Sequence, residues 1–355
     1  MTRSQPDLFR QQAHACGSLG SSMYAELLAG LADDLETGGP TADVLRGHEQ
    51  DPGPSGLALR LAGSVHRLVL SGAAPDLVDL YPTTGGAWRD DGVGLVVDFL
   101  ARRGDDVRPL LDQAPQTNEV GRASALVGGL LRLAEETALP VRLFEIGASG
   151  GLNLQADRFR FTDQGGRSWG ASESPVVLDG AWTGTSLPLD GGPVRIIERG
   201  GCDTSPVDVA GEEGRLTLTS YVWPDMAARH ARLAGAIDLA RRHPVAVQHA
   251  DAASYVEELS LVPGTVTVLW HSVMWQYVPV EQQQRVTTRL ADLGQEAGED
   301  ARLVHLFAEP VRRTPGEEHR FWVCAESWPG RGGLGSGERA FWGRMAPHGV
   351  PVTWE

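Results

Sequence analysis

The sequence predicts an α/β protein in which a mainly parallel sheet, covered by helices on both faces, follows an all-helical N-terminal region. Three observations predict this. Apolar residues recur at helical spacing up to about residue 138, short β-rich runs alternate with helical segments after Pro140, and a glycine-rich turn breaks the first of those runs.

In the first third, Met23, Leu27, Leu28 and Leu31 share one helical face, as do Leu57, Leu61, Val65, Leu68 and Val69, and then Val93, Val96, Val97 and Leu100. Glycine and proline punctuate the loops at 38–40, 51–55, 72–75 and 82–86. A last helix over 119–138 hands over to the first strand. The spacing therefore predicts a helical region or cap over 1–138 and a Rossmann-like domain over 139–355.

Strands are predicted at 141–146, 194–198, 245–248, 266–271, 302–306, 319–325 and 350–354. Helices are predicted at 152–159, 225–243, 252–259 and 279–297. Such alternation gives parallel strands with ligands at their carboxyl ends. The last two runs have no helix between them, so they are expected to pair as a terminal antiparallel hairpin. Residues 160–193, rich in Gly, Ser and Pro, form an insertion that supplies a hairpin or lid.

The stretch Val141-Arg-Leu-Phe-Glu-Ile-Gly-Ala-Ser-Gly-Gly-Leu-Asn153 carries the most chemistry. A buried strand ends in an acid and then breaks into glycines, which supply φ > 0 and let backbone N–H groups approach a ligand. The bland alternative is a glycine turn that merely closes a βα unit.

Composition narrows the function. The chain has 355 residues, 41% hydrophobic and 22% charged, which suits a folded protein rather than a disordered one. A net charge of −15 argues against nucleic acid or an anionic membrane as the main partner and leaves a small-molecule substrate or another protein, a homo-oligomer included. All 31 basic residues are arginine, which removes Schiff-base, phosphate-loop and general-base lysines together. Cys16, Cys202 and Cys324 lie far apart, so no disulfide framework or structural zinc site is expected, and a reducing cytoplasm fits. The ten histidines are dispersed with no His-x-x-x-His pair, so no metal is expected. Neither a secretory leader nor a membrane span is expected. Ser149 stands one residue short of a Gly-x-Ser-x-Gly elbow, which leaves a hydrolase poorly motivated.

Five alternating units closed by a hairpin resemble the class I S-adenosylmethionine-dependent methyltransferases, whose first strand carries an acid followed by alternate glycines. The resemblance implies an S-adenosylmethionine cofactor held by Glu145, Gly147, Ser149 and Gly151, with Ser149 in place of the middle glycine. It implies a ribose-binding acid at Asp203, which lies far beyond the ~20 residues of an uninterrupted unit and serves equally as an Asx-turn acid before Pro206. It also implies an adenine contact at Asp251-Ala252, where the aspartate equally caps a helix. His271 and Tyr277 follow as the catalytic pair. His271 is either a general base or a hydrogen-bonded core residue, and Trp275 either walls an acceptor or packs.

Gln116-Thr-Asn-Glu-Val-Gly-Arg122, the glycine turn with Leu152-Asn-Leu154, Asp157-Arg158, Arg199-Gly-Gly-Cys-Asp203, Pro206-Val-Asp208 and Trp223-Pro-Asp225 together resemble the bacterial domain-of-unknown-function family 2332. The helix that Asn118, Glu119 and Arg122 open leads straight into the motif strand, so they are expected to bind substrate together with Trp275 and with Asn153, to which the resemblance draws attention, although Asn118 and Glu119 are also good capping chemistry. Asp157 and Arg158 read as a structural ion pair. The function expected is transfer of a methyl group to a small-molecule acceptor, against two rivals. One is an NAD(P)-dependent oxidoreductase, which wants a tighter Gly-x-Gly-x-x-Gly turn; the other is a non-catalytic protein on the same fold.

Overall fold

A computed structural model describes residues 4–51, 53–112, 115–192, 194–330 and 332–355 of the chain. Pro52, Pro193 and Arg331, which fall in the loop at 51–55, the insertion and the stretch after residue 328, lie outside the described residues. The chain divides into two compact units, Met1–Thr117 with Gly211–His230, and Asn118–Ala210 with Ala231–Glu355.

The first unit begins with α1 (Gln5–Ser18), α2 (Ser22–Glu36), α3 (Pro40–Val44), α4 (Leu57–Leu70) and α5 (Gly92–Val107). Local chemistry sets the starts: Ser4 and Ser21 accept the N–H groups of Asp7 and Tyr24 at the amino ends of α1 and α2. The predicted apolar stripes are the core, with Leu27, Leu28, Leu61 and Val96 fully buried. No strand interrupts this region among the described residues.

In the second unit, α6 (Ala123–Ala134) precedes β1 (Val141–Ile146), followed by a seven-residue 3-10 turn, Leu152–Arg158, where an α-helix is expected. Then come β2 (Arg160–Asp163), β3 (Ser168–Gly170), β4 (Val177–Gly184) and β5 (Ile196–Asp203). The chain passes through α7 (Glu212–Ser220) in the first unit and α8 (Ala227–Arg242), and returns with β6 (Val247–His249), α9 (Ala252–Glu257), β7 (Thr265–Ser272) and α10 (Val280–Glu296). It closes with β8 (Ala301–Val311), β9 (Arg320–Trp328), β10 (Arg339–Met345) and β11 (Val352–Trp354).

All eleven strands form one sheet in the order β3-β2-β4-β11-β10-β9-β8-β7-β1-β5-β6. From β6 to β8 every pairing is parallel, and from β8 through β11 every pairing is antiparallel. The parallel strands leave β1 toward β5 and β6 on one side, then resume with β7 on the other. The order therefore reverses between β1 and β7, the kind of switch point at which open α/β sheets hold ligands.

One expectation needs correction. The runs 319–325 and 350–354 do not pair with each other, because β10 lies between them and pairs with both β9 and β11. A register shift between Phe341 and Gly343 breaks the two-residue period of β10, which hides it in the sequence. The insertion does supply a hairpin, β2 against β3, and also β4, which joins the sheet through β11. Its anchors are aromatic: Phe161 stacks on Trp182 at 5.0 Å, and the Trp182 indole donates to the Ser124 carbonyl in α6.

Successive strand residues point to opposite faces. Glu145, Trp270 and Leu306 therefore lie side by side on the face that carries α6, where a Cβ on Gly129 would overlap Leu306. Phe144, Ile146 and Leu269 lie on the other face, in one core with α9 and α10 residues Val256, Val286 and Leu290.

Candidate functional site

Glu145 is the penultimate residue of strand β1 and is 2% exposed. The turn after it needs glycine: Gly147 and Gly151 take φ of +68° and +69°. A Cβ at Gly147 would come within 2.9 Å of the Met274 side chain, from the loop after β7. Ser149 adopts the left-handed conformation too, with φ of +52°, as does Val273, with φ of +51°. These are the only non-glycine residues with positive φ among the described ones, and both follow a central parallel strand at its carboxyl end. A β-branched residue in that region is strained, and such strain gathers at functional sites.

The turn is held from three sides. The Ser149 N–H donates to Asp203 Oδ2 at 2.8 Å, at the end of β5, and the Ser205 N–H donates to Asp203 Oδ1. The Leu152 N–H donates to Asn118 Oδ1 at 2.9 Å, and Asn153 Nδ2 donates to the Glu119 carbonyl. Glu119 Oε1 accepts the Gly121 N–H, and Arg122 reaches the Ser272 carbonyl. The expected site residues Glu145, Gly147, Ser149, Gly151, Asp203, Asn118, Glu119, Arg122 and Asn153 thus come together at the carboxyl edge of β1, β5 and β7.

Two acceptors there are left over. Glu145 Oε2 and Asn153 Oδ1 are buried and make no hydrogen bond. Burial pushes the Glu145 carboxyl up to about 8; Asp203 adds repulsion, while Trp270, Arg122 and Asn153 act in the opposite direction without offsetting burial. Near neutral pH, Glu145 is therefore a protonated acid.

Asp251 caps α9, with Oδ1 accepting the Ser254 N–H and Oδ2 the Ser254 hydroxyl, and these bonds hold its carboxylate below the usual range. Ala252 is buried in the first turn of that helix. Asp157 forms its ion pair with Arg199, at 2.8 and 3.1 Å, rather than with the neighbouring Arg158, which donates to Gln155.

His271 follows Trp270 directly, so it projects from the opposite face of the sheet to Glu145. It is 1% exposed, stacks between Trp275 and Phe307, and belongs to a chain of polar contacts that crosses four strands. His271 Nδ1 meets Glu309 Oε1 at 2.8 Å, and His271 Nε2 meets His305 Nε2 at 3.0 Å. His305 Nδ1 meets Glu326 Oε2 at 3.0 Å, and Arg339 donates to Glu326 Oε1 at 2.8 and 2.9 Å. Burial opposes ionisation of Glu326, yet His305 and Arg339 bring it down to about 2, so it only accepts. His305 therefore carries its proton on Nδ1, and burial keeps its ring neutral. Its Nε2 is then an acceptor, which assigns a proton to His271 Nε2.

Glu309, itself 2% exposed, also accepts the N–H groups of Met274 and Trp275 through Oε1. Tyr277 stands apart from this arrangement, 60% exposed at the end of the same loop. Glu309, His305, Glu326 and Arg339 are not among the residues singled out by sequence. The signal is present in Leu303-Val-His-Leu-Phe-Ala-Glu309, where two polar residues share one face of an otherwise apolar strand.

The fold and site define a mixed α/β protein with a strained glycine turn at the switch point of a mostly parallel sheet. The chain belongs to a family described as an uncharacterized protein conserved in bacteria (DUF2332), with the match running over residues 6–354. No curated protein matches it. Among the described residues, no helix is long and apolar enough to cross a membrane, and no cluster of three or more His, Cys, Asp or Glu side chains could hold a metal.

Proposed function

We propose that this chain is an S-adenosylmethionine-dependent methyltransferase acting on a small-molecule acceptor, with a class I methyltransferase-like arrangement of its parallel strands. The observation that carries the reading is the pair of unpartnered, buried acceptors, Glu145 Oε2 and Asn153 Oδ1, beside the Gly147 turn. Without a ligand the protonated Glu145 has one O–H to offer between these two oxygens, and a ligand group that only donates would replace it while satisfying both. An α-ammonium group does so through three N–H bonds and adds the charge that ionises Glu145. A dinucleotide pyrophosphate offers only acceptors and negative charge there, which disfavours the oxidoreductase reading.

The other contacts suit the rest of the cofactor. Gly147 leaves no side chain between the turn and Met274, Gly201 lets β5 lie close against Glu145 and Ala148, and Asp203 stands at the end of β5, where ribose hydroxyls would lie. Each Asp203 oxygen accepts one N–H and keeps lone-pair capacity for a hydroxyl. The capping role of Asp251 leaves Ala252 as the backbone contact for adenine. When bound, S-adenosylmethionine supplies a methyl group already activated by its sulfonium, so the protein's work is to orient the acceptor and exclude water.

A ligand that binds only the folded state raises the melting temperature. S-adenosylmethionine and S-adenosylhomocysteine are expected to stabilise the wild-type protein in a thermal-shift titration, NAD(P) is not, and Gly147→Val is expected to abolish the shift. Protection by NAD(P) alone would reverse the assignment.

A further inference from the structure

The polar chain from Glu309 to Arg339 has no part in holding a cofactor, and it is too extended for an ordinary core hydrogen bond. It takes His271 from β7, His305 and Glu309 from β8, Glu326 from β9 and Arg339 from β10, with Cys324 of β9 beside it. Its two ends differ. At the outer end Glu326 pairs with Arg339, whose side chain is 44% exposed. At the inner end Glu309 Oε1 shares a hydrogen bond with His271 Nδ1 and accepts the N–H groups of Met274 and Trp275, while Oε2 is buried and makes no hydrogen bond. The Met274 side chain, one residue past the strained Val273, packs on Gly147 of the candidate cofactor turn. The inner end thus lies under the loop that touches that turn, on the far side of the sheet from Glu145.

We propose that Glu309, His271, His305 and Glu326 form a proton relay that takes a proton from the acceptor's nucleophilic atom at Glu309 Oε2 and returns it to solvent at Glu326. The acceptor is then an N–H or O–H nucleophile, which must lose a proton when it gains a methyl group; this identity rests on the methyl-transfer reading, whereas the relay rests on the geometry alone. The transfer balances with no redox change. Glu309 gains the acceptor's proton at Oε2, and the proton between Oε1 and His271 Nδ1 settles on Nδ1. His271 Nε2–H passes to His305 Nε2, and His305 Nδ1–H passes to Glu326 Oε2, which releases it to solvent beside Arg339. A return flip of each ring restores the starting tautomers, and rotation of the Glu309 carboxyl carries its new proton to the oxygen facing His271 Nδ1 and leaves a bare oxygen for the next acceptor.

The test is imidazole N–H exchange in 15N-histidine-labelled full-length protein, with His66 as the internal reference. His66 is fully buried between the Ser220 carbonyl and the Thr83 hydroxyl, with no acid in the contact. The relay predicts a direct N–H···N coupling between His271 and His305, and exchange with D2O at least tenfold faster at His271 than at His66. Glu326→Gln removes the outer proton acceptor and is expected to bring the His271/His66 rate ratio back toward one. Because partial unfolding accelerates both rings, the ratio separates loss of the relay from loss of the fold. Absence of the coupling, or a ratio near one in the wild type, overturns the relay, as does a ratio that Glu326→Gln leaves unchanged. S-adenosylmethionine binding with equal exchange rates overturns the relay alone, whereas fast relay exchange without cofactor binding supports the relay and overturns methyl transfer.

Discussion

Glu145 is the residue on which stability and the proposed cofactor binding both turn. Its folded carboxyl holds a proton up to about pH 8, whereas the same group in the unfolded chain releases it near 4.5. Between those values the folded state binds the extra proton, so stability falls as pH rises and levels off above about 8, at up to about 1.4 kcal/mol per pH unit. Glu145→Gln removes the titrating group and is expected to flatten that dependence in denaturant titrations between pH 5 and 8. Gly147 is constrained sterically. An alanine there meets the left-handed backbone penalty of about 1–2 kcal/mol and crowds Met274, so Gly147→Ala is expected to lower the stability measured by chemical denaturation by at least that amount. The acid and glycines were legible in the sequence as a turn. The two orphaned acceptors were not, because Asn153 comes to Glu145 only when the Leu152–Arg158 segment winds as a tight 3-10 turn.

Among the elements, those with strong periodicity were readable and those defined by partners were not. Strands β1, β7 and β8 are mainly apolar runs buried along nearly their whole length, and α10 shows its Val286, Leu290 and Leu293 stripe plainly. Strands β2, β3 and β4 are short, with turns and glycines between them, and they exist because Phe161, Trp169 and Trp182 pack together across strands. Strand β10 alternates poorly because of its bulge. Trp223-Pro-Asp225, part of the family-like pattern, turns out to secure an element: Asp225 accepts the Ser21 hydroxyl at 2.6 Å and the Met23 N–H at 3.0 Å at the start of α2. Asp225→Ala leaves those donors without an acceptor and is expected to cost about 1–2 kcal/mol in denaturant unfolding, with cofactor affinity unchanged.

For the whole molecule, the three cysteines are free and buried, and burial raises each thiol, Cys16 to about 11 and Cys202 and Cys324 to about 12. A thiol reagent at pH 8 is therefore expected to modify none of them in the native protein and all three after denaturation. Cysteine spacing alone predicted the lack of disulfides, whereas the strand order that sets the switch point between β1 and β7 is long-range and leaves no trace in sequence. The sequence places Glu145 and His271 at the carboxyl ends of two strands, and only the register of β1 against β7 shows that they lie on opposite faces. The central claim, that the Gly147 turn with Glu145 holds the amino end of S-adenosylmethionine, is tested most directly by calorimetric titration at pH 7 in two buffers of different ionisation enthalpy. Sub-millimolar binding with release of about one proton per ligand, strengthening toward pH 8 and losing its proton release in Glu145→Gln, is the predicted result. Absence of binding by both S-adenosylmethionine and S-adenosylhomocysteine, or binding whose proton release is the same in Glu145→Gln, would contradict it.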